Sequence, residues 1–233
     1  MKSIILLSLF LFGIVLMAQV PTSKRSVAAY KQNEAALKQQ FVDKKLAWGS
    51  AVFIRIYKQS NELQVWVKQN NQFVLFKTYA ICYYSGTLGT KTKTGDGQAP
   101  EGIYKVFPHQ MNPNSSYHLS FNIGYPNAFD KANGYTGSHI MVHGSCVSIG
   151  CFAMTNPIIE EIWTLMEAAF TQKQSYVNVF IFPFKLTQSA IKTNIANLSV
   201  GLWKQLLPID SLFEQTHKIP NVTVIGKKYV MVK

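Results

Sequence analysis

The stretch HGSCVSIGCFAMT, residues 143–155, gathers one histidine, two cysteines and two glycines within nine positions. Three chemistries suit those residue types: a metal knuckle, a disulfide corner, or a cysteine nucleophile with a histidine base. For zinc, His143, Cys146 and Cys151 supply three ligands where a closed structural site takes four, and the sequence has no CxxC pair. No metal is expected. A disulfide between Cys82 and Cys146 is geometrically possible, but sequence spacing decides no pairing. A buried, unreactive Cys146 fits equally well, because free cysteine packs as a small hydrophobe. With three cysteines in all, at least one thiol stays unpaired.

A nucleophilic cysteine attacks as thiolate, and an ordinary thiol with a pKa of about 8.5 is ionised only to a few per cent at neutral pH. A histidine beside it can take its proton and stabilise the resulting ion pair. His143 and Cys151 lie eight residues apart, about 26 Å if extended, so the chain between them must fold back. Gly144, Ser145, Ser148 and Gly150 suit such a loop. Gly150 also allows the close backbone approach that an oxyanion hole requires.

The elements around this loop read as follows. Residues 24–47 form a loosely amphipathic helix, with Val27, Tyr30, Ala35, Leu37 and Phe41 as its apolar positions. Alternation in 52–58 and 62–68 across the turn Gln59-Ser60-Asn61 predicts a β-hairpin. Residues 72–84 read as a third strand, and the Gly/Pro loop from Thr94 leads into a short strand ending near Val106. The polar stretch 111–137 is long enough to be a lid or binding loop. Residues 139–143 read as a buried strand that ends at the motif. Asn156-Pro157 then reads as an N-cap followed by proline at the first helical position. A strand at 175–184, a helix at 191–207 and a terminal hairpin at 222–232 complete a mostly β fold with flanking helices (α+β). No repeat stands out.

Composition sets the wider frame. Met1-Lys2-Ser3, an uncharged run over 4–17 and the small Ala18 make a secretory signal peptide of residues 1–18. No stable membrane insertion is expected after its removal. The remainder, 48% of the whole chain being hydrophobic, can bury a core. A helical segment at 19–48, a catalytic domain at 49–186 and a C-terminal helix and hairpin extension at 187–233 are the expected parts. The formal charge of +12 raises nucleic acid as a partner, but Lys and Arg are scattered and no nucleic-acid motif is present. An anionic wall or membrane surface suits an exported basic protein better.

The sequence IMVHGSCVSIGCFAM resembles the active-site signature of the L,D-transpeptidase (YkuD-type) catalytic domain, where a His-Gly pair ends a strand and Ser-x-Gly-Cys follows. LQVWVKQNNQFVLFKTY is similar to that domain's opening strands, and GDGQAPEGIYKV to its Gly/Pro loop. The stretches YHLSFNIGYPNAFDKANGYTGSHIMVHG and FEQTHKIPNVTV bring the chain closest to the YafK-like branch, the resemblance running over about 51–224. It implies an L,D-transpeptidase-like β-sandwich or barrel acting without cofactor on peptidoglycan stem peptides, with a tetrapeptide donor and an amine or water as acceptor. It implies Cys151 as nucleophile, His143 as proton acceptor and donor, and the Gly144 carbonyl as the group orienting the imidazole. The N–H groups of Ile149, Gly150 and Cys151 would form the oxyanion hole. Most of the family has histidine where this chain has Ile149, and the insertion after His-Gly is shortened here. Tyr117 and His118, in the 111–137 stretch, and Ser148, in the motif, are candidates for substrate contact, Ser148 also suiting a local hydrogen bond. His109, His139 and His217 read as surface or packing residues. A non-catalytic wall-binding protein of the same fold would have no need of a thiol at Cys151.

Overall fold

The computed structural model describes residues 19–232; the signal-peptide reading of 1–18 lies outside them. In chain order the elements are α1 (Lys24–Asp43), β1 (Val52–Tyr57), β2 (Glu62–Gln69), β3 (Gln72–Ala80), β4 (Tyr83–Tyr84), β5 (Gly102–Val106), β6 (Met111–Asn112) and β7 (Ser120–Asn122). They continue with α2 (Ala128–Ala132), β8 (Met141–His143), β9 (Phe152–Ala153), α3 (Asn156–Thr171) and β10 (Val177–Phe182). Last come α4 (Gln188–Thr193), α5 (Val200–Thr216), β11 (Val222–Ile225) and β12 (Lys228–Met231). Two five-stranded mixed sheets, ordered β3-β2-β1-β10-β5 and β4-β9-β8-β7-β6, carry the fold, and β11-β12 is a separate hairpin. This is the α+β architecture of mixed sheets with flanking helices that the sequence patterns imply.

The alternation of β1 separates two cores rather than core from water. Val52, Ile54 and Ile56 belong to the larger core, which also takes in Phe121 and Val142 of the second sheet and Ile162 of α3. Phe53 and Tyr57 face the smaller core built with Trp203, Leu206 and Phe213 of α5. Arg55 points the same way and is buried, its guanidinium 3.2 Å from Asp210 and stacked among Tyr57, Trp66 and Phe213. Helix α1 lies against the larger core, where Phe41 meets Trp48 and Phe76. Among the described residues, no helix is long and apolar enough to cross a membrane.

Three local readings change. The third strand stops at Ala80, and its continuation crosses to the second sheet as β4, where Cys82 N–H donates to Ala153 O at 2.9 Å. The 111–137 stretch is not an irregular lid: it contains β6, β7 and α2, and Leu119, Phe121 and Ile123 are fully buried. Its many Asn, Gly and Ser residues mask strands only two or three residues long, too short to leave an alternation. The 191–207 helix is two helices, α4 and α5, because the Asn-rich segment between Thr193 and Val200 turns the chain; Asn197 N–H bonds Asn194 O at 3.0 Å.

Candidate active site

Strands β8 and β9 run parallel, with Val142 opposite Phe152 and His143 opposite Ala153. Extending that register one residue back sets Cys151 opposite Met141, and Met141 N–H reaches Cys151 Sγ at 3.4 Å. Alternate residues of a strand share a face, so the side chains of His143 and Cys151 stand on one face of adjacent strands, whose axes are about 4.8 Å apart. The loop between them thus closes a span that would reach about 26 Å if extended. Tyr117, His143, Val147, Ser148, Ile149 and Cys151 line one cleft of about 160 Å³.

His143 is buried. Its Nδ1 lies 2.6 Å from Gly144 O; a carbonyl only accepts, so Nδ1 carries the hydrogen and Nε2 is left as the base. Burial holds the imidazole below its ordinary pKa, the Gly144 carbonyl partly opposing that. Cys151 is the free cysteine, half-buried. Burial pushes its thiol up, against the Met141 N–H and the charge of Lys91. The resting thiol points to His139 O, 3.7 Å away. Burial thus disfavours the charged form of both groups, the Cys151 thiolate and the His143 imidazolium.

The loop is fixed from several sides. Ser145 and Cys146 both have positive φ, 68° and 53°, which costs an L residue about 1–2 kcal/mol each. Asn156 Oδ1 accepts from Ser145 N–H at 2.9 Å, and Cys146 N–H donates to Met154 O at 3.2 Å. Cys146 is disulfide-bonded to Cys82, with Cα atoms 5.4 Å apart. That bond resolves the pairing that the sequence left open, and it removes Cys146 as a thiolate for any metal. Asn156 is not the N-cap: Thr155 takes that position, and the Asn156 side chain turns back to hold Ser145. A Cβ on Gly144 would lie 2.6 Å from Asn156 Oδ1 and 3.1 Å from Tyr117 O, so a side chain there would push Asn156 off Ser145.

Of the sequence candidates, Tyr117, Ser148 and Ile149 share the cleft with His143 and Cys151. The Tyr117 ring lies 4.7 Å from that of His143. His118 turns away, its Nε2 2.6 Å from Glu160 Oε1. Ser148 Oγ donates to Cys151 O at 2.7 Å and accepts from Gly150 N–H at 3.0 Å. The Gly150 N–H is thus engaged within the loop. Gly150 has φ 154°, a backbone conformation that L side chains rarely adopt. The sequence reading gave Asn156 only a capping role and passed over Glu160 and Lys91 for the site, because each acts there from another segment.

Comparison with known proteins finds the L,D-transpeptidase catalytic domain over residues 51–181. YafK of Escherichia coli K12, provisionally named an L,D-transpeptidase, is 44% identical over 185 residues, 79% of this chain and 75% of that protein. Among solved structures, the helical cell shape determining protein Pgp2 of Campylobacter jejuni superposes with a TM-score of 0.48 at 18% identity. The match covers 77% of this chain and 75% of that one. A K307A mutant of the same protein gives a TM-score of 0.48 at 23% identity, over 69% and 57% of the respective chains.

Proposed function

Because this chain belongs to the L,D-transpeptidase catalytic-domain family, we propose that it is an exported cysteine acyltransferase acting on peptidoglycan tetrapeptide stems. The observation that carries the reading is the shared cleft of a free Cys151 and a His143 whose tautomer is set by Gly144 O. Export rests on the sequence of residues 1–18.

On this reading the steps are these. Cys151 gives its proton to His143 Nε2, and the thiolate attacks the carbonyl carbon at the L-centre of the third stem residue. The oxyanion is met by the Ile149 and Cys151 N–H groups. The C–N bond then breaks, and the D-alanine amine leaves with the proton from His143. A thioester on Cys151 remains. An amine deprotonated by His143 displaces the thiolate to form a new amide, or water does so to form a carboxylate; in both cases the proton returns to sulfur. No metal or cofactor enters these steps.

Hydrolysis is the second reading, and one feature favours it. Ile149 is 91% exposed and Val147 54% exposed beside the nucleophile, so the cleft is shallow on that side and water can reach the thioester. A carboxypeptidase, or an amidase that frees a wall-linked protein, would use the same acyl-enzyme. The test is incubation with tetrapeptide muropeptides, followed by intact mass of the protein and mass analysis of the products. A thioester adduct on Cys151 and loss of D-alanine are expected, with dimers marking transfer and tripeptides marking hydrolysis. An unmodified Cys151 and unchanged muropeptides would reject the reading in favour of a wall-binding protein.

A further inference from the structure

The turn at 113–118, which carries Tyr117, is tethered by two helices distant in sequence. At the start of α1, the N-cap Ser23 Oγ donates to Pro113 O at 3.0 Å, and Arg25 Nη1 donates to Ser115 O at 3.0 Å and to His118 O. From α3, Glu160 Oε1 lies 2.6 Å from His118 Nε2. His118 itself has φ 70°, a left-handed conformation that persists in a histidine only when its surroundings impose it. On the other side of the turn, the Tyr117 ring lies 4.7 Å from the His143 ring. Gly144 N–H donates to Tyr117 O at 3.0 Å and to Leu119 O at 3.2 Å, and that same Gly144 presents the carbonyl that fixes His143 Nδ1.

We propose that Arg25, His118 and Glu160 are positioning residues that clamp this turn so that Tyr117 braces His143 and Gly144 orients it. Arg25 lies outside residues 51–181, the part that matches the family domain, so α1 completes a site whose chemistry sits elsewhere. The inference rests on the reading of Cys151 and His143 as nucleophile and base. It also reassigns His118 from substrate contact to support. One guanidinium nitrogen, Nη1, serves both carbonyls, its two N–H groups going to Ser115 O and His118 O. Glu160 suits the His118 position because a carboxylate fixes which imidazole nitrogen bears hydrogen. Tyr117 connects the tethers to the catalytic imidazole, and no other described ring stacks on His143.

The experiment compares the wild type with Arg25→Ala, Arg25→Lys, Glu160→Ala and Glu160→Gln. Glu34→Ala serves as a control, since Glu34 pairs only with Lys38 on the outer face of α1. Two readouts are taken: single-turnover acylation by a tetrapeptide donor, and the pH profile of Cys151 alkylation by iodoacetamide with the disulfide intact. Lys91, whose charge bears on Cys151 and which pairs with Asp96 at 2.6 Å, is unchanged in every variant. Loss of either tether is expected to slow acylation about tenfold with KM little changed, as displacement of a reacting group does. The alkylation profile should move to higher pH as the imidazole becomes more exposed, with Arg25→Lys and Glu160→Gln intermediate and Glu34→Ala at the wild-type position. Should the alanine variants prove unfolded by circular dichroism, the Lys and Gln variants carry the same comparison. Variants matching the wild type in both readouts, or a Glu34→Ala loss equal to theirs, would overturn the proposal. A wild type that never acylates while the alkylation profile still shifts would instead refute the functional reading and leave the clamp standing.

Discussion

Opening the Cys82–Cys146 bond should cost both stability and acylation, and its closing of 64 residues sets the scale of the first. Cross-linking over that separation removes loop-closure entropy from the unfolded chain worth about 4 kcal/mol at 25 °C. A urea dependence of about 2–3 kcal/mol per molar converts this into a midpoint lowered by about 1.5 M. The catalytic loss has a separate origin. Without the bond, the left-handed Ser145 and Cys146 are held only by Asn156 Oδ1 and Met154 O, against a conformational cost of about 1–2 kcal/mol per residue. Partial relaxation of that pair moves the following turn and its oxyanion donors, and a displacement of about 1 Å lowers acylation by about a hundredfold at most. The assay is urea unfolding and single-turnover acylation of the wild type beside the Cys82→Ser/Cys146→Ser double variant, which has no thiol but Cys151. A double variant with an unshifted midpoint and wild-type acylation would refute both steps of the reasoning.

Gly144→Ala should fold but acylate at least about a hundredfold more slowly, because its Cβ would lie 2.6 Å from Asn156 Oδ1; single-turnover rates beside a thermal melt separate the two effects. Since burial lowers the His143 pKa, the base stays neutral to lower pH than usual, so the acid limb of kcat/KM should fall below the ordinary imidazole value of about 6.5; a pH–rate profile checks it. Asp130 is buried and one of its oxygens, Oδ1, has no partner; burial raises its pKa to about 6, opposed by the Asn127 N–H and the Tyr104 hydroxyl. A raised carboxyl pKa favours the folded state below the unfolded value near 3.8 and loses that contribution as pH climbs through about 6. Asp130→Asn should therefore flatten the pH dependence of stability between those limits by up to about 3 kcal/mol, read as unfolding midpoints at several pH values.

What the sequence made legible is what its local pattern encodes. The β1–β2 hairpin shows as two alternating runs around a three-residue turn, and the final hairpin as β-branched residues around Gly226. Helix α3 shows as an apolar stripe from Ile158 to Ala169. That His143 and Cys151 share one cleft was legible because the signature that carries them is compact and continuous. The strands β6, β7 and β9 left no trace, being two or three residues long and identified only by partners elsewhere in the chain. Arg55 reads as an outward residue of an amphipathic strand; its burial depends on Asp210, more than 150 residues later. Asn156-Pro157 has the composition of a helix start, but the cap belongs to Thr155 because Ser145 claims the Asn156 side chain.

The same distinction bears on how the site works. The motif carries the candidate nucleophile and base, and several of its strained groups are held from outside it. Cys82 ties Cys146, Asn156 holds Ser145, Tyr117 and Leu119 receive Gly144 N–H, and Arg25 with Glu160 fixes the turn that presents Tyr117. Deeper still, the fully buried Lys58–Glu101 pair at 3.1 Å anchors the chain after β4 through its hydrogen bonds. Glu101 takes Gly89 N–H and Trp203 Nε1–H, and Lys58 donates to Gly89 O and Ala99 O. That chain runs on to Gln98, whose backbone oxygen lies 3.8 Å from where a Cβ on Gly150 would stand. A buried charge left without its partner costs about 3–5 kcal/mol, so Lys58→Met should disturb the Gly150 turn as well as the fold. In the proposed mechanism a histidine and a cysteine at the right spacing are therefore not sufficient for reactivity; the supports would decide whether the proton reaches Nε2 and whether two N–H groups point at the developing oxyanion. Transplanting residues 143–151 into a chain that lacks these supports should give a cysteine that alkylates like an ordinary thiol.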